Sequence, residues 1–180
     1  IYLNDLFFLD SKCDICNFAD DTTPYTCDMS LQNVLDRLEC TSTQAIEWFE
    51  INYMKLNADK CHLLVCGNKH RNVSANIGGE CIEESSHEKL LGIDIDNGLS
   101  FKNHVNSLCK KAGRKLNALS RMCKVLSFSK RQQLVKAYFE SQFAYCPLVW
   151  MFHGRVLNSK INSLHYRALQ IVFRDFESTF

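Results

Sequence analysis

A chain of 180 residues with 46% hydrophobic and 23% charged residues is too apolar to be disordered and long enough for one ordinary domain or two small ones. Its ten cysteines are scattered through apolar and helical stretches with no apolar targeting segment ahead of them, which argues against a disulfide-stapled secreted scaffold and for a reducing, intracellular compartment, cytoplasm and nucleus. The opening ten residues are interrupted by Asn4, Asp5 and Asp10 and are far too short to span a bilayer, so no membrane partner is expected; the chain starts at Ile1 rather than Met and reads as a piece of something longer.

In chain order, Cys13 to Phe18 and Thr22 to Cys27 predict two short strands joined at Ala19-Asp20-Asp21, with the two acids at the hairpin tip and Pro24 suited to an edge strand. Ser30 is a good N-cap, and Leu31, Val34, Leu35, Leu38, Ala45, Trp48 and Phe49 fall roughly on one face of a long amphipathic helix that would cover a sheet. Short apolar runs at Cys61 to Cys66, Val73 to Ile77, Cys81-Ile82 and Leu90 to Ile95, separated by turn residues such as Gly78-Gly79, predict small antiparallel strands. From Ser100 the period becomes helical: Phe101, Val105, Leu108, Ala112, Leu116 and Leu119 share one side, and Lys102, Lys110, Arg114 and Arg121 lie largely on another. Two more helices are expected at about Lys130–Gln142 and Ser159–Phe173, separated by Pro147 and Gly154. The fold class is therefore α+β, dividing near Asp96–Asn97 into a mixed part, residues 1–96, and an all-helical part, residues 97–180.

The net charge of +1 conceals a polarity along the chain. Residues 1–50 carry ten acids against two bases, whereas residues 97–139 carry ten Lys and Arg and no acid. One end is suited to holding cations, the other to neutralising a phosphate backbone. Taken alone, such runs more often just solvate a face, and adjacent Asp residues are routine turn formers. Cys13-Asp14-Ile15-Cys16 has the form of half a zinc site, but on a strand its two thiols fall on opposite faces, and neither Cys61-His62 nor Cys66 repeats the paired spacing; small buried hydrophobes describe these residues better.

Several motifs in order resemble the reverse transcriptase of non-LTR retrotransposons, the LINE-type elements of the jockey-like group. Ile1-Tyr2-Leu3-Asn4-Asp5-Leu6 is similar to the segment leading into that family's catalytic hairpin, and Phe18-Ala19-Asp20-Asp21 matches its Phe-Ala-Asp-Asp box. Trp48-Phe49 and Leu56-Asn57-Ala58-Asp59-Lys60 resemble the following helix and the Leu-Asn-x-x-Lys motif, and Lys89-Leu90-Leu91-Gly92-Ile93 resembles the segment that grips the primer. The resemblance implies a partial polymerase palm, antiparallel strands and hairpins with a covering helix, followed by a helical thumb and connection. It also implies RNA-directed DNA polymerisation: attack of a primer 3′-hydroxyl on a deoxynucleoside triphosphate, with two Mg²⁺ ions in the complete enzyme.

By the same resemblance, Asp20 is the implied metal ligand, Asp21 a second ligand or an acid supporting the first, and Lys60 a protonated amine near the triphosphate. Phe18 would pack beneath the hairpin, and Leu91 and Gly92 would support the primer end. Lys102, Lys110, Lys111, Arg114, Lys115 and Arg121, in the basic stretch from Phe101 to Lys136, would hold the RNA template and DNA primer through phosphate contacts. The fingers and the strand bearing the other catalytic Asp, expected upstream in the same polyprotein, are not among these residues, so the chain is expected to be inactive alone. Two function classes stay open: a carboxy-terminal piece of a working reverse transcriptase, or the remnant of a decayed element acting at most as a nucleic-acid-binding or structural module.

Overall fold

The computed structural model describes residues 4–9, 11–19, 21–67 and 72–173. The fold is mixed α+β, and the chain forms two compact units, Ile1–Glu88 and Lys89–Phe180.

In the first unit, Asp14–Phe18 (β1) and Asp21–Tyr25 (β2) pair antiparallel, Phe18 opposite Asp21 and Asp14 opposite Tyr25. The connection is shorter than the expected Ala19-Asp20-Asp21, because Asp21 already opens β2. Ala19 has φ +56°, the left-handed backbone that a two-residue hairpin connection demands.

Leu31–Ile51 (α1) begins after Ser30, whose backbone is extended as a cap requires, yet whose hydroxyl makes no capping bond. Asp28 organises this end instead. Its carboxylate accepts from the Ser30 N–H at 2.9 Å and the Asn33 amide at 3.2 Å and pairs with Arg37 at 3.0 Å. The Ser30 N–H bond leads the contacts that hold the Asp28 carboxyl below the usual carboxylate range.

The apolar side of α1, through Leu31, Leu35 and Leu38, packs on a core of Leu63, Val65, Val73 and Ala75, with Ile77 and Ile82 joining from the hairpin of Ser74–Ile77 (β3) and Glu80–Glu83 (β4). Gly78-Gly79 closes that hairpin with φ +62° and +85°. A Cβ at Gly78 would stand 3.0 Å from the Ile46 Cδ1 of α1, so both the backbone and the close helix call for glycine there. The run Cys61 to Cys66, expected as a strand, forms only an isolated bridge between Leu63 and Glu84. Its alternating apolar residues Leu63 and Val65 are satisfied by burial without a ladder.

His87–Leu90 (β5) and Ile93–Asp96 (β6) carry the chain into the second unit. Leu90 to Ile95 was expected as one strand. It is instead a strand, a turn and a strand, because Leu91 (φ +48°) and Gly92 (φ +85°) both adopt the left-handed backbone and reverse the chain.

One carboxylate then shapes the link into the helices. Asp96 accepts from the backbone N–H of Gly98, Ser100 and Phe101 at 3.1, 3.0 and 2.8 Å and from the Ser100 hydroxyl at 3.0 Å. These bonds, the Ser100 N–H first, lower its pKa, and they hold Leu99 and Phe101 at φ +50°, which side chains rarely adopt.

Lys102–Met122 (α2), Phe128–Tyr138 (α3), Pro147–Met151 (α4) and Arg155–Val172 (α5) build the second unit. Its core joins Val105, Leu108, Ala112, Leu116 and Leu119 of α2 to Leu157, Ile161, Leu164, Ala168 and Val172 of α5, with Val135, Phe139 and Phe143 alongside. Buried side chains of this size each contribute about 1.5–3 kcal/mol. The Phe143 ring lies 5.2 Å from Phe139 and from Trp150 and 4.9 Å from His165. Burial in this aromatic setting lowers the His165 pKa, with Glu140 opposing. The short α4 was not expected, although Pro147 at its start is the usual mark of a first helical position.

Candidate functional site

The basic residues of α2 owe their arrangement to the helical period. Lys110, Arg114 and Arg121 stand at i, i+4 and i+11, which aligns them along one line of about 16 Å on the side away from Val105, Leu108, Ala112, Leu116 and Leu119. All three are exposed, as are Lys102 and Lys111; Lys115, closer to the buried side, is half-buried. Among the described residues none of these six forms an ion pair. With no acid from residue 97 to 139, the face carries unbalanced positive charge that an anionic polymer can neutralise. Arg131 is a correction to the basic stretch as read from sequence: it is buried in α3 and belongs to the interior of the unit.

Two cations from α5 join the α2 surface. Lys160 Nζ donates to Asn106 Oδ1 at 2.9 Å, and Arg167 donates to Asn117 Oδ1 at 2.7 Å. Asn117 lies between Arg114 and Arg121, so Arg167 extends the charged line. From sequence Arg167 falls in the helix expected at about Ser159–Phe173, with no role assigned to it. Its i, i+7 spacing from Lys160, flanking the buried Ile161, Leu164 and Ala168, was the available signal.

Leu91 and Gly92 form the tip of the β5–β6 hairpin, both exposed. The Leu91 carbonyl accepts a 2.7 Å hydrogen bond from the Tyr145 hydroxyl, a contact that nothing in the sequence suggested.

In the first unit, the residues opposite one another along the β1–β2 ladder define two faces. Asn17 and Thr22 share one of them, where the Thr22 hydroxyl donates to Asn17 Oδ1 at 2.8 Å. Asp21 shares the other with Phe18, Cys16, Thr23 and Tyr25. Phe18 is 64% exposed, so it does not pack beneath the hairpin as expected; strand alternation places it beside the acid on the open face. Asp20 lies outside the described residues. Lys60 is exposed at the end of a single 3-10 turn, Ala58–Lys60, that Asn57 shapes: its carbonyl accepts from the Lys60 N–H at 3.0 Å and its side chain from the Asp59 N–H at 3.1 Å. No hydrogen bond or ion pair joins Asp21 to Lys60. Among the described residues no group of three or more His, Cys, Asp or Glu is placed to hold a metal ion, so the described donors do not make up a magnesium site by themselves. All ten cysteines are free thiols, and no described helix is long and apolar enough to cross a membrane.

The described residues thus carry an acid on an open strand face and a helix face of exposed Lys and Arg. The chain is similar to the RNA-directed DNA polymerase from the mobile element jockey of Drosophila funebris, at 24% identity over 160 residues. That match covers 87% of this chain and 18% of the relative's length. No protein-family model matches the chain, and no solved structure does.

Proposed function

We propose that this chain is a fragment of an RNA-directed DNA polymerase whose helical unit, residues 97–180, acts as the thumb and holds a template–primer duplex. The observation that carries the reading is the α2 face: three exposed cations in line, three more around them and no acid to balance them. Phosphate contacts of this kind fix a duplex in register without reading its sequence. Leu91 and Gly92, on the tip of a two-residue turn, support the primer terminus, and residues 1–96 form part of the palm.

Asp20 and Asp21 would hold magnesium together with a carboxylate supplied from outside this sequence, and two such ions supply charge stabilisation to nucleotidyl transfer in a complete enzyme. Asp21 is suited to that role by its place at the mouth of β2, on an open face where it forms no ion pair among the described residues. Lys60, exposed and held at the end of a turn, would place an ammonium near the triphosphate. The chain matches 18% of its relative's length, and in this reading the other polymerase segments complete the active site while the chain alone binds duplex without extending it. The full set of partners is then an RNA template, a DNA primer, deoxynucleoside triphosphates and the remaining polymerase segments.

The purified chain, mixed with an RNA template annealed to a DNA primer, deoxynucleotides and Mg²⁺, is expected to shift the duplex in fluorescence anisotropy and to add no nucleotide. Absence of binding would overturn the thumb reading, and Mg²⁺-dependent extension would overturn the requirement for further segments. The open face of Asp21 and Phe18 keeps a second reading in view: a decayed element's remnant that has kept duplex binding without chemistry.

A further inference from the structure

The Leu91-Gly92 turn is strained, and something outside the hairpin holds it. Its backbone repeats that of Gly78-Gly79, with φ +48° and +85° against +62° and +85°, but the first central residue is leucine. A side chain in this region costs on the order of 1–2 kcal/mol and persists where surrounding contacts over-determine it. The contact present is the 2.7 Å hydrogen bond from the Tyr145 hydroxyl to the Leu91 carbonyl, joining residues 54 apart in sequence within the second unit.

Tyr145 is itself well anchored. Phe143, two residues earlier, is buried among Phe139, Trp150 and His165, and the Trp150 Nε1–H donates to the Phe143 carbonyl at 3.0 Å. Cys146, one residue later, is fixed at φ +43° and leads into Pro147 at the start of α4. The stretch from Phe143 to Pro147 is thus clamped on both sides. Tyr145 rises from it 53% exposed, its hydroxyl donating to the Leu91 carbonyl beside the Cys146 side chain. A side chain that left exposed yet fixed adds little to a core; what it does is set the position of the turn.

We propose that Tyr145 is a positioning residue: by holding the Leu91 carbonyl it keeps the Leu91-Gly92 turn in the left-handed form that supports a primer 3′ terminus. This rests on the primer-supporting reading of that turn. Tyr145 does not touch the nucleic acid; it acts through Leu91.

The test uses the whole chain and two RNA–DNA duplexes of equal length, one with a recessed primer 3′ end carrying terminal 2-aminopurine and one blunt. The wild-type chain is expected to favour the recessed duplex and to change the 2-aminopurine emission. Tyr145→Phe keeps the ring and removes only the donor. It is expected to lose about three- to tenfold of that preference, the worth of one hydrogen bond, and most of the emission change, with blunt-duplex affinity unchanged.

A wild-type preference that survives Tyr145→Phe overturns the inference and leaves the proposed function standing. Equal losses on both duplexes or failure of Tyr145→Phe to fold would make the tyrosine a structural residue and overturn it too. Absence of any terminus preference in the wild-type chain removes the primer-supporting reading and this inference with it.

Discussion

The two units solve the same problem, burying enough apolar surface to fold, with unequal means. The first relies on one helix laid over a hairpin and a small core of Leu63, Val65, Val73 and Ala75, and its acidic hairpin keeps an open face with Phe18 and Tyr25 exposed. The second packs α2, α3 and α5 around fourteen buried residues, leaving the opposite side of α2 free to carry charge. A helix face can be basic from end to end only when the other face fully supports the helix. The proposed duplex-binding surface therefore lies on the unit with the larger buried core, and the acidic hairpin on the unit with the smaller one.

That comparison can be broken most directly at Phe139. It is fully buried in the aromatic cluster, and Phe139→Ala should lower the stability of the second unit by about 3–5 kcal/mol. Hydrogen exchange should show protection lost across α2 and α5 and largely kept in β3 and β4. Uniform loss in both units would mean that they do not hold separate cores.

Next in size, Lys110→Gln, Arg114→Gln and Arg121→Gln together should weaken duplex binding about 10- to 100-fold at low salt and reduce the salt slope by about 2–3 units, with an unchanged thermal midpoint. Binding that tolerates all three changes would move the nucleic-acid surface elsewhere. Gly78→Ala should act on the first unit alone, by about 1–2 kcal/mol, since φ +62° disfavours a side chain and the new Cβ meets Ile46 Cδ1 at 3.0 Å. Denaturant unfolding read by site-resolved exchange would register it.

The smallest effect is acid sensitivity. Burial lowers the folded pKa of His165 from 6.5, so the unfolded chain takes up its proton first. The His165 contribution is complete above pH 6.5 and is lost as the pH falls from there through the folded pKa. In the first unit Asp28, its carboxyl lowered from 3.8, loses its contribution only as the pH falls below that value. Acid titration should therefore loosen the second unit first, and a His165→Gln chain should lose this early phase.

Much of the second unit was legible in the sequence because its helices obey a clean 3.6-residue period: Val105, Leu108, Ala112, Leu116 and Leu119 read as one side and are buried together. The turns were harder. Leu90 to Ile95 is apolar throughout but for Gly92 and Asp94, and only the backbone of Leu91, which no propensity would place at φ +48°, shows that the run reverses. The Cys61 to Cys66 run has a strand's alternation, yet among the described residues its one strand-type pairing is the bridge between Leu63 and Glu84, a tertiary fact that composition does not carry. At the candidate site, the charge of α2 was visible from spacing, whereas the Tyr145 bond to Leu91 and the Arg167 bond to Asn117 join residues 54 and 50 positions apart and exist only once the chain has folded.

A salt titration of duplex affinity for the wild-type chain asks whether the α2 face binds a template–primer duplex through its phosphates. If the six α2 cations are the interface, log affinity should fall linearly with log salt with a slope of about −3 to −5, alike for unrelated duplex sequences. A flat salt dependence, or affinity that follows base sequence, would contradict the account.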